Sequence, residues 1–341
     1  GLISPVCMLV LNLVTVLILY VGAYRLSLPD SRLTAGGILA VIEYVGMIMS
    51  GIMSISFTVS EIPRAKVNCM RISEVLTADS VPETRTEGQP PLKGGIRLKG
   101  VSYRYPAGSD DALSGIDMEI LPGQKIAFIG GTGSGKSTVV RLLLGLASPT
   151  GGELSFDGIP AETLGERRLR ENISCVLQRD TIFSGTIREN VLAGREAEDA
   201  KVLRAVSDAQ LIDFVEAQKE GLDYPTTQRG GNLSGGQKQR LAIARALLKP
   251  AAIYIFDDSF SALDFLTESR LRACLAERLK GKTQIIVTQR VTTAMNCDKI
   301  YVFDGGRIDA CGTHEELMRS CGIYREIYLS QTRRSASETG R

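Results

Sequence analysis

Gly130–Thr138 reads GGTGSGKST, between the short apolar run Ile126–Ile129 and a segment with Val139, Leu142, Leu143 and Leu146 at helical spacing. The pattern GxxxxGKS sets glycines at Gly130, Gly133 and Gly135, where the backbone must turn its amides inward, and a helix beginning near Lys136 adds the positive end of its dipole. This is the sequence of a phosphate-binding loop. Lys136 then neutralises the outer two phosphates of a nucleoside triphosphate, and the Ser137 hydroxyl holds a magnesium ion that keeps several of its waters. A plain glycine-rich turn before a helix would need neither the lysine nor the hydroxyl at these spacings.

The 341 residues allow about two domains, and 44% hydrophobic with 23% charged side chains suits a chain that buries a core. Forty basic side chains against 38 acidic give a net charge of +2, too balanced for a nucleic-acid footprint. The seven cysteines are scattered, without a CxxC pair or a nearby histidine cluster, as expected of a reduced compartment and no thiolate metal site. The chain opens at Gly1 in an apolar run without an initiator methionine, which is read as a fragment lacking its beginning.

From Leu2 to Tyr24 there is no charged side chain, and at 1.5 Å per residue this stretch spans roughly 34 Å, enough for a bilayer core. A polar break with Arg25, Pro29, Asp30 and Arg32 precedes a second apolar stretch, Leu33–Ser60, whose one charge is Glu43. Both are expected to be membrane helices; a buried soluble helix is the alternative for the first. Gly46, Ser50, Ser54 and Thr58 recur every fourth residue and put small side chains on one packing face. Glu43 faces protein or a water-filled cavity, where a substrate role is open to it, or sits near the outer interface. Arg64, Lys66 and Arg71 follow the second span and place that end in the cytoplasm.

The expected domains are 1–62 transmembrane, 63–95 linker, 96–331 nucleotide-binding and 332–341 a polar, disordered tail. Within the third, Ile96–Tyr105 and Ile116–Ile120 alternate as antiparallel strands, while Ile253–Phe256 and Ile285–Thr288 read as buried parallel strands separated by helices. The fold class is therefore an α/β nucleotide-binding domain, preceded by two transmembrane helices.

Asp257 and Asp258 close the apolar run Ile253–Phe256, at the strand end where open α/β sheets bind ligands. Asp257 is assigned to the magnesium through water, and Asp258 to orienting or deprotonating the water that attacks the terminal phosphate. Leu233–Gln237, LSGGQ, leads into Lys238–Leu248, a good helix former that Ser234 can cap and Pro250 ends. Alone, LSGGQ is a short pattern that an ordinary helix cap would also satisfy.

Together these segments resemble the ATP-binding cassette (ABC) family, and within it the half-transporters of exporter type, over nearly the whole chain. The glutamine loop matches Gln178 in VLQRDTIFSGTIREN, the signature matches Leu233–Gln237, the D-loop matches Ser261–Asp264, and the adenine-stacking aromatic falls on Tyr105 in VSYRYP. The resemblance implies a P-loop NTPase with a parallel core sheet, an antiparallel β subdomain and a helical subdomain. It implies ATP and Mg2+ as ligands. Tyr105, Gly130, Gly133, Ser134, Gly135, Lys136, Ser137, Thr138, Gln178 and Asp257 bind nucleotide, with Ser137, Gln178 and Asp257 around the metal. Ser234, Gly235, Gly236 and Gln237 are lent to the ATP of a second half-transporter in a head-to-tail dimer. Such exporters carry six membrane helices before the cassette, so the two here correspond to the last two, in the cytoplasmic membrane.

Two residues depart from the pattern. The family's catalytic glutamate falls on Asp258, one methylene shorter, and its switch histidine falls on Gln289 in IIVTQR. Glutamine can hydrogen bond to a phosphate oxygen but cannot carry the imidazole charge. The chain's one histidine, His314 in GTHEEL, is read as structural. The pair of departures, with an intact LSGGQ, resembles the degenerate subunit of heterodimeric exporters. Catalysis at this chain's own site is then assigned to Asp258, Gln289, Gln178 and Lys136. A catalytically silent regulatory subunit and a soluble cassette ATPase are the competing readings.

Overall fold

The computed structural model describes residues 3–28, 32–77, 91–106, 108, 110–178 and 180–338. The chain divides into two units, Gly1–Val81 and Pro82–Arg341.

The first unit is two helices, Ile3–Leu26 and Ala35–Leu76, both long and apolar enough to cross a membrane by length and composition. Thr34 caps the second, its hydroxyl accepting from the Gly37 amide at 3.2 Å. The two helices meet closely at Gly22, where an added Cβ would lie 2.6 Å from Ile38 Cδ1. On the small-residue face, the Ser50 and Thr58 hydroxyls donate to the carbonyls of Gly46 and Ser54, so the spans carry these polar groups satisfied. Pro29 and Asp30 of the polar break lie outside the described residues.

The second helix does not stop at the expected domain limit. It runs through Pro63 to Leu76, so residues 63–76, expected to be linker, are helical. Proline removes one backbone donor, but Arg64, Ala65, Lys66, Met70, Arg71 and Leu76 are good helix formers on its far side. Residues 78–90 of the expected linker are outside the described residues.

In the second unit, one antiparallel sheet joins Asp111–Ile120, Ile96–Arg104, Gly151–Phe156 and Ile159–Pro160 in that spatial order. A six-stranded sheet has the order Arg307–Gly312, Lys299–Asp304, Lys125–Gly130, Thr283–Val287, Ile253–Asp257, Ile173–Val176. Its first pair is antiparallel and the remaining four pairings are parallel. Ile253–Asp257 and Thr283–Val287 are buried at every position, which is why their sequences run apolar instead of alternating. Helices Ile187–Leu192, Asp199–Asp208 and Gly235–Leu248 pack together as a helical part whose buried Val191, Val202, Val206 and Leu241 share one core with Phe256 and Ile286.

Two further expectations are corrected. Leu146, at helical spacing from Leu142, lies beyond the helix Lys136–Leu143 and is exposed, because Gly145 at φ 66° follows the helix end in a left-handed conformation. The tail expected to be disordered from Thr332 is helical to Glu338, continuing a helix that begins at Gly322. Its polar composition hid Arg, Ala and Glu, which extend a helix already nucleated upstream. Residues 339–341 are outside the described residues.

Candidate nucleotide site

Four parallel neighbours in the large sheet end on the same edge, and each releases one candidate segment there. Lys125–Gly130 leads into the phosphate loop, Ile253–Asp257 into Asp258, Thr283–Val287 into Gln289, and Ile173–Val176 into Gln178. This is the strand-end geometry in which α/β sheets hold ligands.

The loop is tightly shaped. Gly130 has φ 154°, and a Cβ there would stand 2.2 Å from the Phe303 carbonyl oxygen. Gly135 caps the following helix at φ 102°, and a Cβ there would meet Leu113 Cδ2 at 2.7 Å. Gly133 also has positive φ. The Gly306 amide donates to the Ser134 carbonyl at 3.2 Å and ties the turn to the hairpin behind it. Lys136 is buried and its Nζ donates to Gly131 O at 2.6 Å, Ser134 Oγ at 2.9 Å and Gly130 O at 3.0 Å. Burial pushes its pKa below the usual lysine value, and the nearby carboxylates of Asp257 and Asp258 oppose that.

Asp257 is buried at the strand end. Burial raises its pKa, a hydrogen bond from the Ser137 hydroxyl lowers it, the Asp258 charge raises it further and Lys136 counters. Asp258 follows at φ 48°, a left-handed conformation that aspartate tolerates better than most residues. Its amide donates to Val287 O at 2.9 Å. Burial raises the pKa of its carboxyl too, against a hydrogen bond from Gln178 and the charge of Arg290. The structure thus brings Lys136, Ser137, Asp257, Asp258 and Gln178 into one interacting cluster. Ser137 and Asp257 together offer the hard oxygen donors that magnesium prefers, and a Cβ is shut out at Gly130 and Gly135 while Gly131 and Gly133 face open space along the loop; the residues fit a magnesium–nucleotide.

Tyr105 stands beside this cluster, its hydroxyl 3.2 Å from Thr138 Oγ1, its ring edge-on to Tyr103 and 5.9 Å from the Arg141 guanidinium carbon. The ring is just over one-third exposed. Gln289 is exposed at the end of its strand.

The signature segment is built separately. Ser234 and Gln237 form a capping box, with Gln237 N donating to Ser234 Oγ at 3.2 Å and Ser234 N to Gln237 Oε1 at 2.8 Å. Gly235 and Gly236 open the helix against Ala262 of the D-loop. Gln239, which the sequence pattern did not single out, fixes that contact: its Oε1 accepts from Ala262 N at 3.0 Å and its Nε2 donates to Ser261 Oγ at 3.3 Å. Arg290 was missed as well; it donates to Glu268 and to the Ser261 carbonyl, joining the switch segment to the D-loop. His314 is structural in its contacts, with Nδ1 2.8 Å from the Tyr324 hydroxyl.

Fold and cluster define an ABC-type ATP-binding domain. Residues 113–261 match the family described as "ABC transporter". The chain is 38% identical over 338 residues to the uncharacterized ABC transporter ATP-binding protein YfiB of Bacillus subtilis, covering 98% of this chain and 58% of that protein. Against the ATP-dependent lipid A-core flippase of Bordetella pertussis, identity is 39% over 245 residues, 71% of this chain and 39% of the flippase. A bacterial Atm1-family ABC exporter solved with ATP bound superposes with a TM-score of 0.74 at 28% identity, covering 95% of this chain and 57% of that one. The chain thus spans 58% of the length of the full-length relatives it matches over nearly all its residues.

Proposed function

We propose that this chain is the ATP-binding and ATP-hydrolysing subunit of an ABC exporter, and that its own ATP site is the slower of two unlike sites in a heterodimer. The observation that carries this reading is the strand-end pair: an aspartate, Asp258, stands where a longer carboxylate is usual, and a glutamine, Gln289, ends the neighbouring strand. In this reading Lys136 neutralises the outer phosphates and Tyr105 stacks on adenine. Ser137, Asp257 and Gln178 hold magnesium, which when bound neutralises phosphate charge. Asp258 orients or deprotonates the attacking water, and Gln289 hydrogen bonds to the terminal phosphate. Ser234, Gly235, Gly236 and Gln237 complete the partner's site, whose own glutamate and histidine are intact. In this reading the two apolar helices lie in the cytoplasmic membrane, and Arg64, Lys66 and Arg71 after the second put the nucleotide domain on the cytoplasmic side.

A shortened base keeps part of the roughly 10² to 10⁴ that a positioned general base contributes, so the site turns over slowly. The test is single-turnover hydrolysis by the assembled transporter with the partner's catalytic glutamate disabled. Asp258→Glu with Gln289→His should raise the rate. If the unmodified site already matches the intact pair, the two sites are alike and the chain is a fully active half-transporter. If the site gives no hydrolysis even in the doubly altered chain, the silent regulatory reading replaces this one.

A further inference from the structure

Gln331 lies 42 residues beyond Gln289, on the C-terminal helix Gly322–Glu338. Its Nε2 donates to the Gln289 carbonyl at 2.6 Å, and its Oε1 accepts from the Val291 amide at 2.9 Å. One carboxamide therefore closes on a backbone C=O and N–H that flank Arg290. The orientation of the amide follows from its partners, since only nitrogen can donate to a carbonyl and only oxygen can accept from an amide.

The helix bringing Gln331 there is firmly seated. Tyr324 is fully buried, and Ile327 and Tyr328 pack against the core that also contains Val291, Ala294 and Cys297. Gln331 is two turns on from Tyr324 and so on the same face. At its other boundary the segment is fixed by the sheet, with Thr288 N donating to Phe128 O at 3.0 Å and Arg290 N to Thr288 Oγ1 at 2.9 Å. The residue in between, Gln289, has its backbone held from both sides while its side chain is exposed.

We infer that Gln331 is a positioning residue for the switch segment: by clamping the backbone on either side of Arg290 it fixes where Gln289 meets the terminal phosphate. The same clamp sets the stem of Arg290, whose guanidinium donates to the D-loop carbonyl of Ser261, so the C-terminal helix restrains the switch segment and the D-loop together. This inference rests on the reading of Gln289 as the phosphate-contacting residue.

The experiment uses the full-length transporter containing this chain, with the partner's catalytic glutamate disabled. Gln331→Ala, Gln331→Glu and Gln289→Ala are compared by single-turnover hydrolysis, by ADP affinity and by hydrogen exchange at the Val291 amide. Gln331→Glu keeps the side-chain volume and the acceptor but loses the donor to the Gln289 carbonyl, and it serves if the alanine variant fails to fold. Expected are exchange at Val291 in Gln331→Ala faster by about tenfold, the size of effect one ordinary hydrogen bond gives, and hydrolysis slower in all three variants. ADP affinity should be unchanged because ADP lacks the phosphate concerned. The double variant Gln289→Ala with Gln331→Ala should be no slower than Gln289→Ala alone. If Gln289→Ala slows hydrolysis while Gln331→Ala and Gln331→Glu leave it unchanged, the clamp is overturned and the reading of Gln289 stands, whatever the exchange shows. If Gln289→Ala has no effect, the reading of Gln289 falls and takes the clamp with it.

Discussion

Arg245, on the helix that Ser234 caps, donates through Nη1 to Asp180 Oδ1 at 3.0 Å, in the segment that carries Gln178. The same guanidinium donates to the carbonyls of Thr181 and Asn190 and to Asn190 Oδ1, and stands 5.3 Å over the Phe183 ring. The signature helix and the glutamine loop of one cassette are thereby joined through a single side chain. Burial pulls the Arg245 pKa down and pushes that of Asp180 up, each opposed by the other's charge.

Removing one member of such a pair leaves the other desolvated. Arg245→Ala should therefore cost about 3 kcal/mol of stability, and Arg245→Lys should recover only part, because an ammonium cannot reproduce the four-way fork. Denaturant unfolding of Arg245→Ala, of Asp180→Ala and of the variant carrying both measures the coupling. Additive losses would show that the pair does not act as a unit.

The carboxylates of the site give a pH signature. Asp257 and Asp258 both have pKa values raised by burial in the fold, so between the ordinary carboxylate pKa and the raised one the folded state binds more protons than the unfolded state. Stability contributed by these groups is present at low pH and falls as pH rises through the raised values. Asp257→Asn and Asp258→Asn should each raise the melting temperature of the nucleotide-free protein at neutral pH, and the gain should vanish in acid. With magnesium and ATP added, the sign should reverse for Asp257→Asn if Asp257 holds the magnesium as proposed, because stabilisation by ligand scales with affinity. Thermal melts across pH, with and without nucleotide, read both effects.

The helix cap made by Ser234 can be separated from the role proposed for its hydroxyl at the partner's ATP. Ser234→Ala removes the cap and should cost about 1 kcal/mol, whereas Ser234→Gly should cost only a few tenths. Both delete the hydroxyl that we propose meets the partner's ATP. Steady-state ATPase of the assembled transporter should therefore fall alike in the two variants although their stabilities differ. Activity that tracks stability instead would reduce Ser234 to a helix cap.

What was legible in the sequence was what chemistry spells out locally. The phosphate loop needs its glycines, lysine and hydroxyl at fixed spacing, and the buried strands announce themselves as apolar runs; Asp257 and Asp258 are adjacent in the chain. The connections that organise these parts were not legible. Arg245 meets Asp180 across 65 residues, Arg290 meets Ser261 across 29 and Gln331 meets Gln289 across 42, and no periodicity encodes such pairings. Where local signals failed, the reason was also local. Pro63 looked like a boundary but sits among good helix formers, and the polar tail after Thr332 inherits a helix that its own composition would not start.

The helix Ala35–Leu76 has 42 residues and so measures about 63 Å, about twice the hydrocarbon thickness of a bilayer. The apolar stretch to Ser60 takes roughly 39 Å of it, and residues 61–76 extend the same arm by roughly 24 Å. Along that arm the backbone ladder lacks one rung, since Pro63 has no amide to offer the carbonyl of Val59. Bending is therefore cheapest there. Any bend in this helix is expected at Val59–Pro63, with the uninterrupted ladder on either side staying straight.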